Sequence, residues 1–392
     1  MRQKIARTAG LLIALGAAGA GCADRSSLLS PSEPSLDNDK VWEVTASTRW
    51  NTRATDLIVL RPPANGQAAT ARILTYLSIA QYRAALTAED FKQQSVHASV
   101  SAAVGAASAT VLSAFFPLDA TSIEAQLTSD LASPTWPGAK HEHVASGVTI
   151  GRQIGSSILA KAASDNYLVA SPGSPPVGPG RWVSSGAPLV RAMYGARPFF
   201  MASTSELRSP PPPAVGSAEF LAALAEVRQI ADTRTPNQVA SAQFWNTATG
   251  PFTAGALNRT VTDLLVKHKR SERESARVLA YANAAVFDAM IACFDTKYAY
   301  WYPRPTHADP AISLAIALPN HPSYPSAHSC IASALLHVAA VALPSERASL
   351  MAMVEESGRS RVLGGIHYQF DIHAGQEIGR RAAALALAGS LE

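Results

Sequence analysis

The sequence predicts an all-α protein made of two packed helical bundles. Apolar residues recur at helical spacing over long segments, among them 71–88, 96–116 and 142–163. We find no sustained two-residue alternation of apolar and polar residues, so little sheet is expected. Two proline-rich stretches, at 171–182 and 209–213, interrupt the helical pattern and separate an N-terminal from a C-terminal half.

Composition is compatible with two sizeable cores. Of the 392 residues, 47% are hydrophobic and only 16% are charged, which excludes a disordered chain. We predict an N-terminal helical bundle over residues 41–208 and a C-terminal bundle over residues 215–392.

The first residues have the pattern of an export signal. Arg2, Lys4 and Arg7 precede a short apolar run at 11–20 that ends in small residues. This order predicts a signal peptide over residues 1–21, and therefore an exported protein of a bacterial envelope or a secreted one.

Cys22 follows the small residues and resembles the lipidated cysteine of a bacterial lipoprotein, although Gly19 stands where a leucine is usual. Simple cleavage of the signal and a retained membrane anchor are the alternatives. Residues 22–40 are polar and form a predicted linker. Any membrane contact is expected only through the lipid anchor.

The charge balance gives no support for binding nucleic acid. The whole chain has a net charge of +4 and a pI of about 9.0. Removal of the three cations in the signal leaves 30 basic against 29 acidic residues, a net charge of +1. The mature protein is therefore nearly neutral, and small molecules are the expected partners.

Two cysteines, Cys293 and Cys330, remain after the signal. In an exported protein they could form a disulfide. Both lie among small apolar residues, so two buried free thiols are an equal alternative.

Helix signals continue through the C-terminal half. Helices are predicted to start near Ser217 and Thr235, to run over 271–293 and 329–343, and to follow Asp371. The start at Thr235 and the helix over 271–293 each have the spacing of a capping box. This half contains three clusters of polar residues.

The first cluster follows the predicted helix end at residue 293. It carries Lys297 and Arg304, two cations seven residues apart. Taken alone, they are charges that interact favourably with the carboxyl end of a helix.

The second cluster is HPSYPSAHS, residues 321–329. If a helix begins at about His328, the backbone N–H groups of Ser326 and Ala327 are free to bind an anion. The Ser326 hydroxyl adds a donor, and His328 could transfer a proton. Taken alone, the stretch is a proline turn with a capping serine.

The third cluster extends from Ser360 to Asp371. Arg361 offers a fork of donors suited to a tetrahedral oxyanion. His367 and Asp371 are four residues apart, so on a helix the carboxylate would orient the imidazole. Taken alone, these residues are ordinary helix ion pairs.

The order of the three clusters resembles the type 2 phosphatidic acid phosphatase (PAP2)/vanadium-dependent haloperoxidase superfamily. The shared pattern is Lys-x6-Arg-Pro, then Pro-Ser-x-His, then Ser-Arg-x5-His-x3-Asp. Segments 242–246 and 275–298 are also similar to exported bacterial members. The resemblance implies the all-α fold of that superfamily, with the active site in the C-terminal bundle.

The resemblance also implies a role for each residue. His367 would be the axial partner of the oxyanion, ligating vanadium or attacking phosphorus. Asp371 would orient His367, and His328 would be the acid–base group. The oxyanion would be held by five further residues: Lys297, Arg304, Ser326, Ala327 and Arg361.

Three positions bear on how far the resemblance extends. Ala327 replaces the family's usual glycine, which puts turnover in doubt more than anion binding. Phe294 replaces a common tryptophan. His321 is the candidate halide site, and histidine there favours bromide or iodide over chloride.

The leading functional hypothesis is a vanadate-dependent haloperoxidase that oxidises bromide or iodide with hydrogen peroxide. The alternative is a soluble PAP2-type phosphatase that hydrolyses phosphomonoesters through a phosphohistidine and needs no cofactor. A further alternative is a non-catalytic envelope lipoprotein that retains the fold. The sequence leaves the oligomeric state open.

Overall fold

The structure is a computed structural model. It describes residues 45–93, 98–133, 143–167, 169, 175–188, 193, 195–247 and 252–391. All of these lie in one compact unit that spans Leu36–Glu392. The described residues form helices and loops without strands, which confirms the all-α prediction. The predicted signal peptide, Cys22 and the linker lie outside the described residues and remain predictions.

Thirteen α-helices are formed by the described residues. In chain order they are α1 (Ala46–Leu60), α2 (Gly66–Gln93), α3 (Val100–Phe115), α4 (Ala120–Ala132), α5 (Val144–Ala163), α6 (Ala218–Thr233), α7 (Pro236–Thr247), α8 (Thr253–Lys267), α9 (Glu272–Tyr300), α10 (Pro305–Ala308), α11 (Ala327–Ala342), α12 (Arg347–Leu363) and α13 (Gln369–Ala388). The predicted capping boxes are present: Thr235 and Gln238 bond reciprocally at the start of α7, as do Ser271 and Glu274 at α9.

Helix α9 joins the two halves of the molecule. It packs against α2 from the N-terminal half and against α11 and α13 from the C-terminal half. It is long and apolar enough to cross a membrane, but 94% of its most apolar stretch is buried inside the protein. It is therefore the central core helix of this fold. The domain boundaries proposed from the sequence stay a prediction.

Helix α9 extends further than the sequence predicted. It ends at Tyr300, so Lys297 lies in its last turn and not beyond its end. The segment from Phe294 to Tyr300 contains no glycine or proline, and it is buried over most of its length. The helix stops only at Trp301, which adopts a left-handed conformation two residues before Pro303.

The connection between the halves is fastened to α9 by buried carboxylates. Asp288 accepts hydrogen bonds from the backbone N–H groups of Phe199 and Phe200 at 2.8 and 2.7 Å. Two residues before Lys297, Asp295 forms a two-pronged ion pair with Arg208 at 2.6 and 2.8 Å. These contacts hold α9 in place where it carries Lys297.

Close packing of α13 on α11 brings two of the clusters together. A Cβ at Gly375 would lie 2.5 Å from the Ser326 carbonyl oxygen, and one at Gly379 would lie 2.5 Å from that of Cys330. Only glycine permits this approach. As a result, the start of α13 lies directly beside the start of α11.

Cys293 on α9 and Cys330 on α11 are both buried and free. Their side chains are hydrogen-bonded to each other. Of the two alternatives, the structure contains buried thiols and not a disulfide.

Candidate active site

Lys297 holds the loop that precedes α11. Its side chain is fully buried, and its ammonium group donates to the carbonyl oxygens of Pro322 at 2.7 Å and Ser323 at 2.8 Å, and to that of Pro325. Burial lowers the pKa of Lys297 to about 7. Three carbonyl acceptors favour its charged form.

Arg304 connects the same loop to His367. Its guanidinium is fully buried and donates to the His321 carbonyl oxygen at 3.0 and 3.1 Å and to that of Ile366 at 2.6 Å. One of its terminal nitrogens lies 3.0 Å from Nε2 of His367. Burial lowers the pKa of Arg304 to about 10, so it keeps its charge at neutral pH.

Arg361 lies in the last turn of α12 and is oriented by α7. It is buried, and it donates to the Ser360 hydroxyl at 3.0 Å and to the Ala242 carbonyl oxygen at 2.9 Å. Burial, followed by the charge of Arg304, lowers its pKa to about 9. Because the charge of Arg304 acts on Arg361, the two guanidinium groups belong to one site.

Helix α11 starts at Ala327, two residues before the start of the helix predicted over 329–343. Ser326 is the N-cap, its hydroxyl accepts from the Ser329 N–H at 3.4 Å, and its own N–H donates to the Asp371 carbonyl oxygen at 2.9 Å. The N–H of Ser326 is thus paired. The N–H groups of Ala327 and His328, in the first turn, have no acceptor within the helix and can bind an anion.

One ring nitrogen of His328 has no hydrogen-bond partner. The Trp245 carbonyl oxygen accepts a hydrogen bond from the ring, while Nε2 is buried without a partner. Nδ1 therefore carries the proton, and Nε2 has a free lone pair. Burial, followed by the charge of Arg361, keeps the pKa of His328 well below its usual value, so the ring is neutral.

His367 and Asp371 are paired, but not because both are helical. His367 lies before α13, and Asp371 is in the first turn of that helix. Nδ1 of His367 lies 2.8 Å from Oδ2 of Asp371, so the carboxylate holds the Nδ1–H tautomer and leaves a lone pair on Nε2. Burial, followed by the charge of Arg304, keeps the pKa of His367 well below its usual value.

The site has an excess of buried positive charge. Among the described residues, Lys297, Arg304 and Arg361 form no ion pair with a carboxylate, and Asp371 is the acid whose charge acts on the first two. Burial of unpaired cations is costly unless an anion joins them. The donor set fits a tetrahedral oxyanion such as vanadate or phosphate. Within the same residues, no cluster of His, Cys, Asp or Glu could hold a metal cation.

His321 and Ala327 lie at the same site. Nδ1 of His321 is 3.1 Å from a terminal nitrogen of Arg304, and its ring packs edge-on against Phe294 at 5.3 Å. Ala327 is the first residue of α11 and is nearly buried. All the residues predicted for the site are thus on the elements that meet around Arg304 and His367.

Several contributors to the site were not predicted. Ser323 donates its hydroxyl to Oδ2 of Asp371 at 2.6 Å. The carbonyl oxygens of Ala242 and Trp245, both on α7, orient Arg361 and His328. Ser323 belongs to a loop that the sequence singled out, but backbone carbonyls carry no sequence signal.

Comparisons with known proteins agree with this geometry. Residues 277–390 match the family model described as the PAP2 superfamily. This range contains every predicted site residue from Lys297 to Asp371. A comparison with curated proteins gave no match.

More than four-fifths of the chain is similar in structure to bacterial vanadium-dependent haloperoxidases. A bacterial iodoperoxidase superposes with a TM-score of 0.71 at 20% identity, covering 87% of this chain and 94% of the other. A bacterial chloroperoxidase in its holo form gives a TM-score of 0.67 at 14% identity, covering 83% and 92%. Its apo form gives 0.68 at 14% identity, covering 83% and 94%. Residues 277–390 thus match the PAP2 superfamily, and the chain has the fold of bacterial vanadium-dependent haloperoxidases.

Proposed function

We propose that the protein is a vanadate-dependent haloperoxidase that uses hydrogen peroxide to oxidise bromide or iodide to a hypohalous species. The observation that carries the proposal is a group of three buried cations that form no ion pair with a carboxylate among the described residues. They lie around a neutral histidine, His367, that has a lone pair on Nε2. The fold similarity over more than four-fifths of the chain to bacterial enzymes of this type supports it.

The residues that would hold vanadate fall into three groups: cations, hydrogen-bond donors and one metal ligand. The cations Lys297, Arg304 and Arg361 would neutralise its charge, and the Ser326 hydroxyl with the first-turn N–H groups of α11 would bind its oxygens. His367 would ligate the metal through Nε2. When bound, vanadate supplies a Lewis-acidic centre that activates peroxide.

His328 would act as the base. Its free Nε2 lone pair can accept a proton from hydrogen peroxide, which would leave a hydroperoxide anion and an imidazolium. The Trp245 carbonyl oxygen holds the other ring nitrogen in its protonated form, so the tautomer is already the one that the step needs. The proton can then pass to the hydroxide released from the reduced peroxide oxygen, forming water.

His321 would set the halide preference. Its ring, whose pKa burial keeps well below the usual value, contacts Arg304 and packs edge-on against Phe294. A polar ring in place of a hydrophobic one favours bromide or iodide over chloride in this family, and we propose that preference here.

The PAP2 match supports phosphomonoester hydrolysis as a second candidate function. The Nε2 lone pair of His367 would attack phosphorus, forming a P–N bond while the P–O bond to the alcohol breaks. The leaving oxygen would need a proton from His328. In the anion-free site that ring is neutral, so substrate binding would have to protonate it first.

Splitting one preparation of the protein tests both candidates. One half, loaded with orthovanadate, would receive peroxide, bromide or iodide and a halogenation reporter; the other, kept free of vanadate, would receive a chromogenic phosphomonoester. Vanadate-dependent halogenation is expected. Ester hydrolysis that vanadate inhibits, without halogenation, would assign the protein to the phosphatases, and the absence of both would favour a non-catalytic lipoprotein.

Replacement of Ala327 with glycine is expected to raise turnover several-fold. Ala327 is the first residue of α11, next to the N–H groups that would bind the oxyanion, so removal of its methyl group would relieve crowding there. Glycine in a helix costs about 0.5–1 kcal/mol of stability, so the melting temperature should fall slightly. Steady-state halogenation and thermal unfolding measure the two effects. Unchanged turnover at a lowered melting temperature would mean that the methyl group does not crowd the oxyanion.

A further inference from the structure

We propose that Cys293 and Cys330 form an oxidisable dithiol, and that its closure to a disulfide by hydrogen peroxide weakens anion binding at the neighbouring site. The inference rests on the proposed function, which supplies both the peroxide and the oxyanion site. It goes beyond that function because it adds a modification site whose residues take no part in the reaction. In the structure both thiols are free and buried.

The pair lies one helical turn away from the oxyanion site. Cys293 is four residues before Lys297 on α9, and Cys330 is the fourth residue of α11. The ammonium group of Lys297 donates to the carbonyl oxygens of Pro322 and Ser323 in the loop before α11, which fixes how the two helices meet. One turn back along α9, the side chain of Cys293 is hydrogen-bonded to that of Cys330. The two sulfur atoms are therefore already in contact.

The position of the pair favours attack from inside the site. Cys293, Cys330 and Lys297 are all completely buried, so a peroxide molecule that reaches Lys297 is one turn from the thiols. A thiolate is the reactive form, and a nearby ammonium group stabilises it. Burial has the largest influence on the pKa of Lys297 and the charge of Cys293 the next, so these two groups interact. Burial keeps the pKa of Cys330 well above its usual value, which leaves Cys293 as the sulfur that reacts first.

Closure takes two steps and consumes one molecule of hydrogen peroxide. The sulfur of Cys293 attacks one peroxide oxygen, so that an S–O bond forms and the O–O bond breaks, and the released hydroxide takes up the thiol proton to give water. The sulfur of Cys330 then attacks that of Cys293, so that the S–S bond forms and the S–O bond breaks. The second hydroxide leaves as water with the proton of Cys330. Two thiols are oxidised, and peroxide is reduced to water.

A disulfide would move Lys297 relative to the start of α11. An S–S bond is about 2.05 Å long, shorter than the separation of two hydrogen-bonded sulfur atoms, so closure draws α9 and α11 together one turn from Lys297. A binding site of this kind keeps its affinity only when its groups stay within about 0.5 Å of their places. We therefore expect sulfate, an inert tetrahedral anion, to bind about tenfold more weakly to the disulfide form.

The test starts from reduced wild-type protein, free of vanadate and halide, and adds hydrogen peroxide. Peptide mass spectrometry after alkylation gives the state of each cysteine. Calorimetry gives the Kd of sulfate before oxidation, after it, and after reduction with dithiothreitol. The control is the double variant Cys293→Ser/Cys330→Ser, which keeps the size of both side chains but cannot form the bond. If it does not fold, alanine at both positions replaces serine.

The wild type is expected to give a peptide pair linked through Cys293 and Cys330, a sulfate Kd weakened about tenfold, and full recovery on reduction. The double variant should keep its Kd in peroxide. In Cys330→Ser the first step has no second thiol to follow it, so dimedone should label Cys293 as a sulfenic acid.

Four outcomes would overturn the proposal. They are free thiols after treatment with peroxide, a sulfinic acid in place of the linkage, a disulfide that leaves the sulfate Kd unchanged, and an equal loss of affinity in the double variant. The last of these would assign the effect to oxidation of other residues.

Failure of the proposed function gives a different result. If the reduced protein does not bind sulfate, the oxyanion site is contradicted, whereas peptide mapping still decides whether the two cysteines close. If sulfate binds but vanadate-loaded protein does not halogenate, the peroxidase is contradicted. The added peroxide still tests the dithiol in that case, because neither step of closure needs turnover.

Discussion

Replacement of His367 with alanine is expected to abolish halogenation and to weaken vanadate binding together. Nε2 of His367 is the neutral nitrogen that faces Arg304 in the buried cationic site, and alanine offers no lone pair in its place. Removal of a group of this kind lowers turnover by roughly a thousandfold or more. Calorimetry measures the loss of vanadate binding, and the rate of halogenation measures the loss of activity.

The control for this substitution is His373→Ala. His373 lies on α13 six residues further along the chain, and its ring bonds to the Gln369 side chain on the surface. It should keep both vanadate binding and turnover. In a phosphatase, His367→Ala would instead remove the phosphoenzyme that denaturing quench detects. Full activity of any kind in His367→Ala would show that His367 has been assigned the wrong role.

The helices that the sequence predicted are those with strong end signals or a long apolar pattern. Helices α7 and α9 start at capping boxes, and α11 ends at Ala342, two residues before Pro344. Helices α1, α4, α8, α10 and α12 were not predicted. Helix α12 packs against α6, α7, α11 and α13, so its buried residues are distributed around it and no single apolar face marks it.

The site was predicted from residue types and spacing, while its geometry required the fold. Four-residue spacing suggested that His367 and Asp371 share a helix face, yet they meet because Asp371 caps the first turn of α13 and His367 lies just before it. Similarly, Arg361 and His328 are oriented by carbonyl oxygens of α7. Every residue has a carbonyl group, so the sequence cannot show which of them accept these bonds.

Sulfate affinity is expected to be constant below about pH 7 and to fall above it, by about tenfold per pH unit. Burial lowers the pKa of Lys297 to about 7, so the ammonium group is charged below that pH and loses its proton above it. Above pH 7 the anion must therefore bind together with a proton. Sulfate is the suitable probe because it keeps both negative charges over this range, whereas phosphate and vanadate change charge themselves.

Lys297→Arg separates this effect from the titration of other groups. Arginine has a much higher pKa than lysine, so sulfate affinity in this variant should be independent of pH between about 6 and 8, below the pKa of about 9 of Arg361. A fall of the same size in Lys297→Arg would assign the proton to another group of the site. A constant affinity in the wild type would mean that the carbonyl oxygens of Pro322 and Ser323 keep Lys297 charged throughout. In that case its three bonds to the loop, and not its burial, decide its charge, and the cationic site is complete before any anion arrives.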